Sequence, residues 1–361
     1  MITIGVDAHK RIHVAVALDD AGSALAQWRG ANSPEGWLKV LSWAIGLGEP
    51  RRWGIEGAWS YGRGLAQFLI ANGELVYEIN SRWTAVGRRR ARHAGKSDPL
   101  DARAVAVFVR QEAGSLTPIA PEDESTVLDL LVKERDSALA EATRLTNQIH
   151  ALLMQIDPEY KLHLQPRHFK VKVTALEAYR TTSSNSAQQQ RAAAVRRLAQ
   201  RLRLVMEQAK ELAKEIRARA KLYFAPLTRL CGIDYLRAGA IAASLGPGLR
   251  FSSDAQLAAY AGAAPLEASS AGMVRHRLNR GGNRRLNAIL YGIVLTQCRS
   301  SEQAKAYLER RQREGKTRRE AVRALKRFVI RAIWRLWLEC MSLLPGGGQT
   351  SAPSLVTGNA A

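Results

Sequence analysis

Four carboxylates occupy positions from which they could bind a metal ion together. Asp7 and Glu56 each end a short apolar segment rich in β-forming residues, and Asp98 lies three residues before Asp101. A carboxylate at the end of a buried strand is energetically costly unless a cation or a hydrogen-bond donor accompanies it. If a helix begins near Asp98, with Pro99 in its first turn, both aspartates share one face of that helix.

The ion best suited to these acids is Mg²⁺ or Mn²⁺, because the ligands are oxygens with no cysteine pair or histidine cluster nearby. Each acid alone could equally serve as a cap or a surface charge, and Asp98 in particular fits a helix N-cap. Taken as a set, Asp7, Glu56, Asp98 and Asp101 are our predicted metal ligands and catalytic acids.

Two arginine-rich segments suit a polyanionic partner. The first leads into Asp98 and contains Arg82, Arg88, Arg89, Arg90, Arg92, His93 and Lys96. The second surrounds the sequence Gly-Gly-Asn at 281–283 and contains Arg275, His276, Arg277, Arg280, Arg284 and Arg285. Cations beside metal ligands can hold a phosphodiester against the metal, so we predict that both segments bind nucleic acid. The first segment could also be a basic loop that orders only on binding.

Ser269 and Ser270 lie just before the second basic segment, in a run of small residues. A hydroxyl in a basic loop could meet a phosphate, but serines in such loops usually form turns. Only His276 lies at an interpretable spacing for a general base. The residues themselves therefore favour a turn and leave a nucleophilic role open.

The composition of the chain points to the same kind of partner. Its 361 residues carry a formal net charge of +22, which favours a polyanion and makes affinity depend on salt. Solubility alone is the alternative explanation of that charge. Cys231, Cys298 and Cys340 lack zinc-site spacing, so we expect reduced thiols. With no signal peptide and no apolar run long enough to cross a bilayer, we expect a soluble protein with no membrane partner.

The first hundred residues alternate strand-like and helix-like segments, which indicates an α/β architecture. Residues 2–6 and 12–18 form a predicted hairpin, and further strands are expected at 53–56 and 75–79. Helices are expected around 38–45 and 65–69. The opening hairpin favours a mixed sheet of the RNase H-like kind over a wholly parallel sheet.

The pattern changes to helix from residue 128. Apolar residues recur in steps of three and four over 128–156 and over 195–216, which is typical of coiled-coil seams. Because residues 157–190 between them are rich in polar residues, we predict a long antiparallel coiled-coil hairpin with an irregular tip. Helical patterns follow at 238–245, 253–260, 283–298 and 318–344.

The predicted fold class is α/β plus α, in four regions. Residues 1–120 form the α/β domain with the four acids, and residues 121–227 form the coiled-coil hairpin. Residues 228–344 form a mainly helical domain with the serines, and residues 345–361 form a tail expected to be disordered.

Several motifs, in order along nearly the whole chain, resemble the DEDD (RuvC-like) transposase family of bacterial insertion sequences. They are Gly5-Val-Asp7-Ala-His-Lys10, Gly54-Ile-Glu56, Lys96-Ser-Asp98-Pro-Leu-Asp101-Ala-Arg103, Leu249-Arg-Phe251, Tyr260-Ala-Gly262, Pro265, Ser269-Ser270 and Arg280-Gly-Gly-Asn283. These are the bridge-RNA-guided serine recombinases related to pilin-gene invertases. The resemblance implies a RuvC-like domain whose four acids bind Mg²⁺ and a C-terminal transposase domain that supplies a serine.

By position, the serine implied by the resemblance is Ser270, with Ser269 in reserve, because this chain has Ser-Ser-Ala-Gly where relatives commonly have Ser-Gly. The implied reaction is transposition by Mg²⁺-assisted serine attack, through a covalent phosphoserine–DNA intermediate. The implied partners are double-stranded donor and target DNA, a structured noncoding guide RNA, and further copies of the chain in a dimer that assembles to a tetramer. The implied location is the bacterial cytoplasm, at the nucleoid when DNA is bound.

Three other functions fit parts of the sequence. A RuvC-like junction nuclease would use the same acids with water as the nucleophile. An actin-like ATPase would use the hairpin around Asp7 as a phosphate loop, although the residues after Asp7 are poor in Gly, Ser and Thr. A non-catalytic nucleic-acid scaffold would keep the acids for structural reasons alone.

Overall fold

The computed structural model describes residues 1–81, 83, 98–163, 169–264, 266–267, 276–277, 279 and 281–344. The chain divides into two compact units. Among the described residues, the first contains Met1–Asp123 and Pro247–Gln256, and the second contains Glu124–Gly246 and the chain from Leu257 to Leu344. The four predicted regions with their boundaries remain a prediction, and the predicted tail lies outside the described residues.

The first unit is built on a five-stranded sheet. Its strands are β1 (Ile2–Ala8), β2 (Ile12–Leu18), β3 (Ala24–Ala31), β4 (Arg51–Glu56) and β5 (Val76–Ile79), in the spatial order β3-β2-β1-β4-β5. Strand β1 pairs antiparallel with β2 and parallel with β4, and β4 pairs parallel with β5. The predicted hairpin and the predicted mixed sheet are therefore confirmed, whereas β3 was not predicted.

Helices cover both faces of this sheet because its strands bury alternate residues on opposite sides. Ile4, Val6 and Trp53 pack with α1 (Pro34–Ile45) and α2 (Arg63–Ala71). On the other face, Val14 and Val16 pack with α3 (Asp98–Glu112). The segment after residue 246 returns to this unit, where the Gly248 amide donates a hydrogen bond to Asp123 Oδ2 at 3.2 Å.

The second unit is mostly helical. Its long helices are α4 (Glu124–Ile156) and α7 (Ser186–Tyr223), with α5 (Tyr160–His163) and α6 (Phe169–Glu177) between them. They are followed by α8 (Tyr235–Leu245), α10 (Arg284–Ser300), α11 (Glu302–Arg313) and α12 (Arg318–Leu343). Helix α9 (Asp254–Tyr260) begins in the last residues of the first unit and ends in the second. A two-stranded ladder joins β6 (Leu266–Glu267) to β7 (His276–Arg277). The mainly helical C-terminal region is as predicted, except that α11 was not.

The two long helices pack antiparallel. Near one end, Arg219 lies 3.0 Å from Glu124, and near the other end the Gln188 amide donates to the Gln155 carbonyl at 3.1 Å. Seam residues such as Leu145 are buried between the helices. The antiparallel hairpin agrees with the sequence, and its coiled-coil character remains a prediction.

The irregular tip predicted for residues 157–190 is partly wrong. Helices α5 and α6 lie within it, and α7 begins at Ser186, capped by the Asn185 side chain. The reason is burial, because Tyr160, Val173 and Leu176 pack into the same apolar cluster as the hairpin seam. Within the described ranges, no helix combines the length and apolar composition that a bilayer crossing requires.

Candidate metal centre

Asp7 and Glu56 lie side by side at one edge of the sheet. They are register partners on the parallel strands β1 and β4, so both side chains emerge on the same face near the carboxyl ends of the strands. Asp7 is 8% exposed and Glu56 is half-buried. Two of the predicted ligands are therefore brought together by strand pairing alone.

Two glycines explain how α3 reaches this edge. Gly5 and Gly54 are also register partners, and each lies two residues before its acid on the face that α3 covers. A Cβ atom at Gly5 would lie 2.2 Å from the Ala102 carbonyl oxygen, and one at Gly54 would lie 2.3 Å from a methyl group of Val109. Only glycine allows so close an approach, so the Gly-x-Asp and Gly-x-Glu motifs set the depth at which the helix packs.

Helix α3 brings the second pair of acids to the same place. It begins at Asp98, and both Asp98 and Asp101 lie in its first turn, as predicted from their spacing. Asp101 is only 6% exposed, and Asp98 is half-buried. Both carboxylates act electrostatically on Asp7, which places all three negative charges in one region.

His9 joins this cluster, and the sequence analysis did not select it. Its Nε2 atom lies 3.0 Å from Asp7 Oδ2 and 3.6 Å from Asp98 Oδ1. Ligand atoms of Asp7, His9 and Asp98 all lie within 4.8 Å of one another. The sequence did contain one indication of His9: it lies two residues after Asp7, and residues two apart in an extended chain have their side chains on the same side.

The electrostatics of the centre suit a cation. Burial raises the pKa of Asp7 above its usual range, and the negative charges of Asp101 and Asp98 raise it further, whereas His9 lowers it. A divalent ion would relieve this repulsion and replace lost hydration. Carboxylate oxygens suit Mg²⁺ and Mn²⁺, and the single imidazole of His9 beside them also suits softer ions, so the choice of Mg²⁺ stays a prediction.

An open groove borders Asp98. It has a volume of about 210 Å³ and is lined by Val14, Gln27, Trp28, Arg29, Asp98 and Pro99. Arg29 supplies a positive charge next to the acids, which suits an anionic group of a substrate. Sequence reasoning did not identify this arginine because it lies on the unpredicted strand β3.

Most of the predicted basic residues, and both serines, lie outside the described residues: Arg82, Arg88, Arg89, Arg90, Arg92, His93, Lys96, Ser269, Ser270, Arg275 and Arg280. Of the others, Arg277 lies in β7, and Arg284 is exposed at the start of α10. Arg285 is half-buried and lies 3.3 Å from Asp129 and 3.1 Å from Asp136. Its charge is thereby largely neutralised by α4.

Two transposase family models match segments of this chain. The DEDD transposase model of IS110 matches residues 4–158, which include all four acids. The model of the transposase IS116/IS110/IS902 family matches residues 225–309. The chain belongs to the IS110/IS116 transposase family. The predicted resemblance to insertion-element transposases is confirmed at this level.

Individual relatives are similar over different lengths. The 43.6 kDa protein of insertion element IS110 from Streptomyces coelicolor is 28% identical over 284 residues, 67% of this chain and 70% of that protein. The 42 kDa protein of insertion element IS900 from Mycobacterium paratuberculosis is 26% identical over 92% of this chain and 94% of its own length. The 44.8 kDa protein of IS116 from Streptomyces clavuligerus is 28% identical, with 46% of its length matched.

Among solved structures, RuvC of Thermus thermophilus is similar to one third of the chain. The complex of that protein with a Holliday junction substrate matches 33% of this chain and 99% of RuvC, at 16% identity and a TM-score of 0.27. A second structure of Thermus thermophilus RuvC gives the same identity and TM-score. A TM-score this low supports no argument about function.

Proposed function

We propose that this transposase cleaves DNA phosphodiester bonds at a divalent-metal centre formed by Asp7, Glu56, Asp98 and Asp101, with His9 beside them. The observation that carries the proposal is the convergence of acids from β1, β4 and α3 at one sheet edge. These segments are far apart in the sequence, and buried like charges are unfavourable without a counter-ion. A purely structural role for the acids would not require them to meet.

The side chains can be given separate tasks. The carboxylates supply hard oxygen ligands, and β1, β4 and α3 fix their positions. His9, hydrogen-bonding to Asp7, orients that carboxylate as an outer-shell partner or coordinates the ion directly. A bound divalent ion would polarise the scissile phosphate and offset the negative charge of the transition state. Arg29 would hold a neighbouring phosphate in the groove beside Asp98.

Water is the nucleophile that the acid geometry supports by itself. The described acids can position and activate a water for attack on phosphorus, as in a metal-dependent nuclease. The strand then ends in a hydroxyl and a phosphate, and the phosphodiester energy is lost. Joining to new DNA would then require the freed strand hydroxyl to attack an intact phosphodiester of the target and to expel a hydroxyl of the target strand.

Serine attack is the second candidate, favoured by the family match over residues 225–309, which include Ser269 and Ser270. The serine Oγ would form a bond to phosphorus, lose its proton to a base, and expel a DNA hydroxyl as the leaving group. The resulting phosphoserine ester keeps the phosphodiester energy, so a second DNA hydroxyl can displace the serine and reseal the strand. A guide RNA and a dimer that assembles to a tetramer belong to this candidate and rest on the resemblance.

The metal centre can be tested with matched substitutions. Asp7→Asn and Asp101→Asn should each abolish cleavage of element-end DNA in Mg²⁺ or Mn²⁺, because each removes a buried ligand charge. Glu112→Gln, at the far end of α3, is the matched control and should cleave normally. Full activity in both aspartate variants would exclude the proposed centre.

The nucleophile can be tested on DNA that traps an intermediate. A suicide substrate that loses a short strand after cleavage should leave a covalent protein–DNA adduct if a serine attacks. Loss of the adduct in Ser270→Ala but not in Ser269→Ala would assign the nucleophile. Cleavage without any adduct, preserved when both serines are replaced, would establish hydrolysis by water. RNA that copurifies and is needed for cleavage would support the guide-RNA part.

A further inference from the structure

Helix α12 carries five arginines at a constant interval of four residues. They are Arg319, Arg323, Arg327, Arg331 and Arg335, which we call the arginine row. All five are exposed. At a rise of about 1.5 Å per residue, neighbours in the row are about 6 Å apart along the helix and the row is about 24 Å long.

The opposite side of α12 is fixed in the second unit. Val322, Val329, Ile333 and Trp337 are buried, and the Trp337 ring stacks on Phe224 with 5.5 Å between ring centroids. The helix therefore cannot rotate about its axis, and the arginine row is held toward the solvent. Such a surface is presented by the fold and does not depend on a mobile loop.

The acids of α12 have other partners, although Arg323 also acts electrostatically on Glu320. Glu320 is used in a capping box, where it accepts hydrogen bonds from the Thr317 amide at 2.8 Å and hydroxyl at 2.7 Å. Glu339 forms an ion pair with Arg229. In the described part of the chain, no ion pair joins Arg319, Arg323, Arg327 or Arg335 to a carboxylate.

Other arginines of the same unit are paired with acids. Examples are Arg201 with Glu141 at 3.2 Å, Arg203 with Glu177 at 3.2 Å, and Arg219 with Glu124 at 3.0 Å. Like charges four residues apart destabilise a helix, so five arginines at this interval are unfavourable for the isolated protein. A polyanion with regularly spaced charges would remove that repulsion on binding.

We propose that the arginine row binds the phosphate backbone of double-stranded DNA. One strand of B-DNA carries a phosphate charge about every 3.4 Å along the axis, so successive arginines about 6 Å apart can reach separate phosphates where the row faces the backbone. Phe328 and Leu338 of α12 are also exposed, and the Phe328 ring contacts Tyr307. Protein docking is nevertheless a poorer fit for the row itself, because five positive charges at a regular interval match a polyanion better than an apolar partner. The choice of DNA over RNA rests on the proposed function; the contacts themselves carry no base sequence information.

The test measures how DNA affinity depends on salt for the full chain. Replacing Arg323, Arg327 and Arg335 together by Gln should reduce the slope of log affinity against log salt by about 2.7, since each phosphate contact contributes about 0.9. The same triple change to Lys should restore most of the slope, because a backbone contact needs charge and not a planar fork.

The control removes the same charge elsewhere. Arg201, Arg203 and Arg219, replaced together by Gln, lower the net charge equally but remove arginines that already have carboxylate partners. This control should keep the wild-type slope to within about one contact. Thermal unfolding of both triple variants verifies that they are folded, and the row variant should be at least as stable as wild type because repulsion is relieved.

Three results would overturn the inference. The first is a row variant that binds DNA with the wild-type slope, and the second is a control variant that loses as much slope as the row variant. The third is a loss confined to an RNA duplex of the same sequence, which would assign the surface to RNA. Cleavage by the wild-type protein is measured in parallel. If the variants show the predicted slope changes but the wild-type protein never cuts DNA, the result contradicts the proposed function and supports DNA binding by the arginine row.

Discussion

Substituting Gly5 by alanine tests the geometry on which the metal centre depends. The new Cβ would lie 2.2 Å from the Ala102 carbonyl oxygen, 2.3 Å from the Ala106 amide nitrogen and 2.9 Å from Ala106 Cα. All three are backbone atoms of α3, so no side chain can rotate away. Helix α3 must retreat by about 1 Å before the C···O separation reaches an ordinary contact of about 3.3 Å.

This displacement has a cost in stability and a cost in activity. Overpacking a core usually costs about 1–3 kcal/mol, and a clash with three backbone atoms belongs at the upper end, so we expect about 3 kcal/mol. The retreat also carries Asp98 and Asp101 away from Asp7 and Glu56. A misplacement of about 1 Å in an active site can reduce the rate about 100-fold.

Urea unfolding in EDTA measures the first effect, and DNA cleavage at a temperature where the variant is folded measures the second. Gly114→Ala is the matched control, because no atom lies within 4 Å of its added Cβ. We expect that control to change stability by less than about 0.5 kcal/mol. The reasoning is refuted if Gly5→Ala unfolds like the control, since α3 would then not pack on β1 at this depth.

Three further outcomes follow from individual side chains. Burial and neighbouring acids raise the pKa of Asp7, so its negative charge destabilises the metal-free fold above that pKa. Asp7→Asn should therefore raise the melting temperature at pH 7 in EDTA. The increase should shrink as the pH falls through the pKa of Asp7. Added Mn²⁺ should stabilise wild type and not this variant, and a variant that melts below wild type in EDTA would contradict the sign. Burial raises the pKa of Cys340 to about 11, so at pH 8 roughly one Cys340 thiol in a thousand is ionised. Iodoacetamide should therefore label the exposed Cys231 in the folded protein, whereas Cys340 should react only after unfolding. Thr317→Ala removes the capping box with Glu320 and should cost about 1 kcal/mol in urea unfolding, whereas Thr317→Ser should cost much less.

The sheet was predictable where burial determines the local pattern. Strands β1 and β2 are apolar runs and β4 has a buried centre, and each was expected from the sequence. Strand β3 was missed because it lies at the sheet edge, has mostly exposed residues and contains three alanines, which have low β-propensity. Its conformation comes from hydrogen bonds to β2, a tertiary cause that a local pattern does not contain.

The helices show the same limit. Helix α11 has few apolar residues and buries only Ala304 and Leu308, so its periodicity is weak. Helix α6 is short, and its Val173 and Leu176 are buried only because the hairpin folds back on them.

The four acids were predictable as a set because each follows from a local rule: two strand ends and one helical turn. Their mutual distance was not predictable, since it depends on the register between β1 and β4 and on two glycines that admit α3. His9 was missed for the same reason. Only the folded chain turns its ring toward Asp7 and Asp98, so its spacing from Asp7 gained meaning after the topology was known.

The return of Pro247–Gln256 to the first unit affects how the protein is made. The acids and α3 all lie before residue 113, but Pro247–Gln256 of the same unit is synthesised only after the whole of Glu124–Gly246. At about 5–20 residues per second, a ribosome needs roughly ten seconds to translate the intervening hairpin. During that interval the acid-bearing unit lacks its last segment, so we expect chaperones and proteases to encounter the nascent chain there first.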